Sequence, residues 1–402
     1  MTSVNELKRS FDEWYPPDTA ESWDSVGLTC GDPDEEVARV LLAVDCVPAT
    51  VDEAIERGAQ LLITHHPLLF SAVHSVATTS PKGAMVHRMI QAGIAHLVAH
   101  TNADAARLGV SQALAERLGL TDIRPLVPAL SPALDHVTVF VPPDHLHELV
   151  EALSAAGAGA VGDYDQCTFS VEGTGTYRPL PGAEPFDGEV GVVTRKPEIR
   201  LSMVYPRPLR SAVIAAMRRA HPYEEVAFEL TEQPGLAGPT GSGRLGKLPA
   251  TVTLADFGRY AASVLPPTVW GLRVAGVADR PIRTVAVCGG SGSPFIPAAR
   301  AAGADVYLTS DLKHHDTVEA VPERRWDGGG MDEEPMALID AAHWATERPW
   351  LDVAAARLRD RFGPAVEVLI SGTVTDPWTA HVPSAAQSEA EAGDDVVPDT
   401  RV

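Results

Sequence analysis

Apolar and polar positions fall into alternating blocks along the first part of this chain. Residues 37–44, 60–64 and 94–99 are short runs dominated by Val, Leu, Ile and Ala, which predicts buried strands. Between and after them, residues 48–57 and 82–92 predict helices, and residues 110–118 predict a third that Gly119 stops. Strand and helix in turn, to about Arg124, predict α/β architecture around a mainly parallel or mixed sheet. A second such rhythm comes late. Residues 284–288 read as a strand, Gly289-Gly290-Ser291-Gly292 as a turn, 295–302 as a helix and 305–308 as a strand. Residues 336–346 then read as a helix and 367–370 as a final strand.

The region between the two rhythms has its own pattern. Residues 137–141 then 145–155, and 199–204 then 209–220, form two strand–helix units, each followed by a further strand-like stretch at 168–171 and 226–230. Two βαβ halves in so short a span predict a ferredoxin-like insert. The Gly/Pro-rich stretch 233–248 reads as the return to the core. The expected fold is therefore α/β: a two-lobed core with mixed sheets, interrupted by a ferredoxin-like α+β insert. The expected divisions are residues 1–130 and 236–379 for the lobes and 131–235 for the insert. Residues 380–402, rich in Ala, Ser, Glu and Asp, are expected to be a disordered acidic tail.

Composition narrows the partners. The chain has 402 residues, 45% hydrophobic and 21% charged, as an ordinary globular protein has. A net charge of -22 argues against general nucleic-acid or anionic-membrane binding, while leaving room for a local anion pocket. No apolar stretch approaches the roughly 20 residues of a membrane span, and residues 1–10 hold no apolar signal core. Cys30, Cys46, Cys167 and Cys288 are scattered, with no C-x-x-C, so reduced thiols in a cytoplasmic protein are expected.

Candidate chemistry sits at the ends of the apolar runs. The run 60–64 opens into His65-His66-Pro67. Successive strand residues point to opposite faces, so both imidazoles reach one centre only from beyond the strand end. Two rings leaving the backbone in different directions suit two neighbouring ions better than one. The run 94–99 ends in His100-Thr101-Asn102-Ala103-Asp104, and His343 and Glu347 share a helix face at i, i+4. With His100 set aside, these segments offer three imidazoles and two carboxylates. They cannot saturate two ions, so open positions would remain, and a mixed N/O set without thiolate favours Zn, Mn, Fe, Co or Ni. Taken singly, each piece has a plainer explanation: a surface His pair, a solvated helix face, a helix N-cap at Asp104.

Taken in order, the segments resemble a known family. Thr64-His65-His66-Pro67, His100 to Asp104 and His343 to Glu347 match the Nif-three-like (YbgI-like) dinuclear metal-centre family, whose members also carry the name GTP cyclohydrolase 1 type 2 homologue. Trp23-Asp24-Ser25-Val26-Gly27-Leu28, Gly243-Arg244-Leu245-Gly246 and His221-Pro222-Tyr223-Glu224-Glu225 match as well. The resemblance covers about residues 4 to 375. It implies two divalent metal ions held by His65, His66, Asp104, His343 and Glu347, with Glu347 bridging. It also implies a homohexameric ring and a PII/CutA-like identity for the insert. Ser25, Ala342 and Ser310 depart from the family pattern, which has Asn, Gly and Gly there; none removes a ligand.

Other polar clusters are less determined. Asp311 and His315, in Thr309 to His315, are candidate proton carriers on a substrate-side wall, or members of an ordinary polar loop. His100 is a candidate for orienting Asp104 or a water rather than a ligand. Gly289 to Gly292 could cradle a phosphate, but a tight strand-to-helix turn fits better. His221 to Glu225 could contact a ligand or form a structural turn. The expected activity is metal-dependent hydrolysis of a nucleotide or related phosphorylated small molecule, as a GTP cyclohydrolase-like enzyme. The alternative is a non-catalytic metal-binding scaffold with a PII-like effector or partner domain.

Overall fold

The computed structural model describes residues 2–321 and 336–382; the expected acidic tail from 383 onward lies outside the described residues. Two compact units emerge, one from Met1–Ala129 with Pro239–Val402 and one from Leu130–Gly238.

The first unit is mixed α/β with two sheets. One is five-stranded, in the order Gly27–Cys30, Ala95–Val98, Leu61–Thr64, Arg39–Ala43, Glu367–Ile370. All its pairings are parallel except that of the edge strand Gly27–Cys30. Leu61-Leu62-Ile63-Thr64 is buried throughout, as a strand covered on both faces must be. Its side chains alternate accordingly. Leu61 and Ile63 join the core holding Phe11, Tyr15 and Trp350, while Leu62 joins the core holding Val51, Met85 and Met89. The second sheet is six-stranded and mixed, in the order Leu272–Ala275, Ala337–Ala341, Val306–Ser310, Pro281–Ser291, Ala237–Thr253, Thr121–Leu130.

Three features differ from the sequence reading. Residues 336–346 are not one helix: Ala337–Ala341 is a strand, and only His343–Glu347 is helical. All five positions of Ala337–Ala341 are buried and all but Asp340 are apolar, so its pattern cannot be told from that of a buried helix. The Gly/Pro-rich return is largely the long strand Ala237–Thr253, whose glycines admit close neighbours such as the Val127 carbonyl against Gly241. The sheets also exchange strands across the chain. Glu367–Ile370 pairs in parallel with Arg39–Ala43, and Thr121–Leu130 enters the second sheet.

The second unit runs strand, helix, strand, strand, helix, strand. Its antiparallel sheet has the order Phe169–Tyr177, Thr194–Pro206, Leu134–Val141, Phe228–Gln233, with helices Leu146–Ala155 and Arg210–Ala220. Val137, Val139, Leu149, Leu153, Leu201 and Val213 give it a core of its own. Among the described residues, no helix is long and apolar enough to cross a membrane.

Candidate metal centre

The carboxyl ends of the parallel strands carry the functional side chains, where ligands commonly gather in α/β sheets. Beyond Leu61–Thr64, the His65 and His66 amides donate to the Ala43 and Val44 carbonyls, so the chain stays sheet-like while the rings diverge. The Thr64 hydroxyl donates to the His66 carbonyl at 2.8 Å and fixes that exit. Asp45 follows the strand Arg39–Ala43, and His100 follows Ala95–Val98 and opens the helix Thr101–Ala105 that carries Asp104. From the other sheet come Asp311 after Val306–Ser310 and His343 after Ala337–Ala341.

Four imidazoles are set in one way. His65 Nδ1 donates to the Ala99 carbonyl at 2.9 Å, and His66 Nδ1 lies 2.7 Å from an Asp45 carboxylate oxygen. His100 Nδ1 meets Asp24 at 2.8 Å and His343 Nδ1 meets Asp311 at 2.6 Å. A carbonyl or carboxylate only accepts, so in each ring the proton sits on Nδ1 and the neutral ring keeps its Nε2 lone pair free. Those Nε2 atoms face inward. Glu347 Oε1 lies 2.9 Å from His343 Nε2 and 3.5 Å from His65 Nε2, and its Oε2 lies 3.1 Å from His66 Nε2. Asp104 Oδ1 lies 3.7 Å from His65 Nε2. Among the described residues, two groups have donor atoms all within 4.8 Å of one another: His65, His66 and His100, and His66, His343 and Glu347.

The donor set fits a cation. His65 Nε2, Asp104 Oδ1 and Glu347 Oε2 are buried without a hydrogen-bond partner. Buried polar atoms are seldom left so, because each costs about 1–3 kcal/mol unless something satisfies it. A metal ion would satisfy all three. An Nδ1 hydrogen bond to a carboxylate or carbonyl is also the usual support of a metal-bound histidine.

Electrostatics agree. Burial is the largest single influence and would lower the imidazole pKa values, but the Glu347 charge together with Asp45 at His66, Asp311 at His343 and Asp104 at His65 outweighs it, lifting His66 to about 10 and His343 to about 11 and also raising His65. Burial would raise Glu347, yet His66, His343 and His65 together hold it well below the usual carboxylate range. Asp104 goes the other way: burial pushes it up to about 6. His100 is driven down to about 4, by burial and then by the neighbouring His65. Without a cation the imidazoles hold protons in its place; ions would displace them.

The glycine run has a packing role. Pro281–Ser291 is a single strand, so Gly289 and Gly290 lie within it rather than in a free turn. Gly290 has φ +67°, and a Cβ there would fall 2.5 Å from Glu347 Oε1 and 3.2 Å from His343 Nε2. Its amide donates to Thr346 Oγ1, and the Gly289 amide donates to Ser111 Oγ. Both amides are thus used within the protein rather than offered to a phosphate. Ser310 Oγ donates to the Gly290 carbonyl at 2.6 Å, which gives that departure from the family pattern a local function.

The other predicted residues fall as follows. The Asp311 carboxylate supports His343, and His343 in turn holds it below the usual range. His315 is exposed, on the helix His314–Ala320, with its ring against His314. The side-chain partner of His100 is Asp24; Asp104 meets His100 through its backbone amide. His221 is satisfied at both nitrogens, donating from Nε2 to the Phe140 carbonyl and accepting at Nδ1 from the Tyr223 amide.

Sequence reasoning missed Asp45, whose signal was the one that exposed His65: a polar residue just past an apolar run. It assigned no role to Asp24 or Arg244. The buried Arg244 guanidinium donates to the Ala106, Gly241 and Gly243 carbonyls and to Gln112, bracing the end of the helix that bears Asp104. Nothing in the sequence pattern flagged the aromatic shelf beside the centre. Trp23 and Phe70, 56% and 46% exposed, lie 5.5 Å apart and 6.1 and 6.4 Å from the His100 ring.

The Duf34/NIF3 (NGG1p interacting factor 3) family model matches residues 2–377. A Mycobacterium leprae protein named GTP cyclohydrolase 1 type 2 homolog is 44% identical over 368 residues, covering 91% of this chain and 92% of its own length. A Bacillus subtilis protein of the same name is 35% identical over 384 residues, covering 94% and 99%. Among solved structures, a Bacillus cereus protein related to NIF3 superposes with a TM-score of 0.63 at 35% identity, covering 94% of this chain and 99% of that one. A Staphylococcus aureus protein superposes with a TM-score of 0.72 at 29% identity and the same coverage.

Proposed function

The chain belongs to the Duf34/NIF3 family, and from that premise we propose that it is a metal-dependent hydrolase of a nucleotide or related phosphorylated small molecule. The observation that carries this reading is the set of inward Nε2 atoms, each backed by a fixed Nδ1 hydrogen bond, around two carboxylates with unpaired buried oxygens. His65 with Asp104 would hold one divalent ion, His66 with His343 a second, and Glu347 would be shared, since its carboxylate faces His65 as well as His66 and His343. Such ions supply Lewis acidity: they acidify water near neutral pH and stabilise developing negative charge.

The chain's own residues do the rest. Asp45, Asp311 and the Ala99 carbonyl hold His66, His343 and His65 in their ligand tautomer. His100, neutral at physiological pH and fixed by Asp24, offers Nε2 as an acceptor that orients water at the edge of the cluster. Trp23 and Phe70 offer ring faces on which a purine can stack. The side chains of His66, Asp104 and His343 remain 25%, 29% and 33% exposed, which favours a site open to substrate over a saturated storage or scaffold site. The strand order of the second unit supports a ferredoxin-like insert. A homohexameric assembly and a cytoplasmic location, both drawn from the sequence reading, complete the proposal.

The test is turnover of GTP, other nucleotides and phosphoesters by metal-loaded protein beside a His66→Ala/Glu347→Ala double variant. Hydrolysis of one member by the wild type, lost in the variant, is expected. Equal rates for both proteins on every substrate would overturn the hydrolase reading, and wild-type protein that retains no metal would remove its basis.

A further inference from the structure

The second unit has a cleft of its own, independent of the metal centre. Its volume is about 280 Å³, and Tyr177, Phe186, Tyr223, Asp187, Glu198 and Glu224 are among the residues that line it. Three aromatic rings form one wall: the Tyr223 ring centroid lies 6.0 Å from Phe186 and 6.1 Å from Tyr177. Both phenol groups are tied off. The Tyr177 hydroxyl donates to the Asp187 carbonyl at 2.8 Å and the Tyr223 hydroxyl to Glu198 Oε1 at 2.9 Å. The two hydroxyls are therefore already donated, and what Tyr177, Tyr223 and Phe186 bring to the cleft is aromatic surface. Glu198 is held in place as well, lying over Gly175, where any Cβ would fall 2.0 Å from its Oε2.

The charge in the cleft is one-sided. Asp187, Glu198, Glu224 and Glu225 line it, against the single cation Arg178. Asp187 pairs with Lys196 at 2.6 Å, and the Glu224 carboxylate accepts from the Glu184 amide. The segment 178–193, which contains no strand or helix, is pinned over the cleft by these contacts and by the Gly191 amide on the Pro179 carbonyl. Long ordered loops of this kind are commonly functional.

Aromatic faces beside carboxylates attract organic cations through the ring quadrupole and direct charge pairing, and repel anions. We propose that this cleft binds a small organic cation, an ammonium or guanidinium compound of metabolite size, against Tyr177, Phe186 and Tyr223, with Glu198 as counter-ion. The volume suits a free small molecule better than a length of peptide. The negative lining sets the insert apart from a nucleotide-binding effector domain.

Calorimetric titration of the full-length, metal-loaded protein at physiological salt tests this, because salt of that strength screens diffuse attraction to the acidic surface. The probes are choline and agmatine, with 3,3-dimethylbutanol as the uncharged isostere of choline, ATP, and a lysine-containing tripeptide. At least one cation is expected to bind one-to-one, on the order of ten-fold more tightly than the neutral isostere. Phe186→Ala removes a half-exposed ring, and Glu198→Gln keeps an acceptor for Tyr223; each should weaken binding several-fold while the melting temperature holds. No saturable binding of either cation, or equal binding by the Phe186→Ala/Glu198→Gln variant, would overturn the proposal. So would ATP displacing the cation, or the tripeptide binding better than both.

Discussion

His65 and His221 are both buried histidines pinned to a backbone carbonyl, yet their surroundings differ in one respect. His221 has a partner at each nitrogen, the Phe140 carbonyl and the Tyr223 amide. His65 has one, at Nδ1, and its Nε2 faces Glu347 and Asp104 with no hydrogen bond. Burial pulls both imidazoles towards the neutral form. For His221 burial prevails and its pKa falls; for His65 the carboxylates prevail and its pKa rises. Burial and a carbonyl contact do not separate a structural histidine from a ligand. The state of the second nitrogen does.

The most severe way to break that contrast is to take away what His65 faces. Glu347→Gln keeps the shape and removes the charge that three imidazoles share. Stoichiometric metal binding should be abolished, read as metal content by elemental analysis after gel filtration. A variant that retains a full complement of ions would show that Glu347 is not a shared ligand.

Next in size is the loss of an orienting partner. Asp45→Asn and Asp311→Asn leave His66 and His343 in place but weaken the contact at 2.7 or 2.6 Å that sets each tautomer. Metal affinity should fall about 10–100-fold in each, measured by competition with a chelator. Unchanged affinity in both would reduce the two carboxylates to bystanders.

Changing the pH sharpens the same contrast. His66 and His343, raised to about 10 and 11, carry protons at pH 7 in the metal-free protein, and an incoming cation must displace them. Binding should therefore release protons and weaken as pH falls, on the order of ten-fold per pH unit for each proton displaced. Asp104, at about 6, adds its own proton below that value, so the dependence steepens there. In the metal-free protein the sign reverses. The raised imidazole pKa values stabilise the fold fully below about 6.5, and that contribution is lost as pH rises through 10 to 11. Calorimetry in buffers of different ionisation enthalpy counts the protons; none released at pH 7 would contradict the assignment.

How much of this the sequence disclosed follows from what each residue depends on. His65 and His66 were legible because a polar pair interrupts an apolar run, and a buried strand end has few ways to tolerate that. His343 and Glu347 were legible through helical spacing, although the helix begins only at His343. Asp24 reaches His100 from a loop 76 residues away, and local pattern carries no information about such a contact. The pairing of Glu367–Ile370 with Arg39–Ala43 is hidden for the same reason. Gly290 looked like a turn because glycine has two uses: here it makes room for Glu347, and that need shows only when both are in place.

The smallest effect should come from His221, and it tests the other side of the comparison. In His221→Ala the Phe140 carbonyl and the Tyr223 amide each lose a partner, inside a unit with its own core. Leaving such groups unpaired costs about 1–3 kcal/mol when water cannot replace the lost bond. Thermal unfolding of the full chain should therefore show one transition shifted down by a few degrees. Metal content and its pH dependence should not move, because His221 is neutral at pH 7 and both its nitrogens are already used. His221→Gln, which can still donate to the Phe140 carbonyl, should recover part of the loss. A fall in bound metal in His221→Ala, at unchanged folding, would mean that a satisfied histidine can still serve the centre, and the distinction between the two histidines would fail.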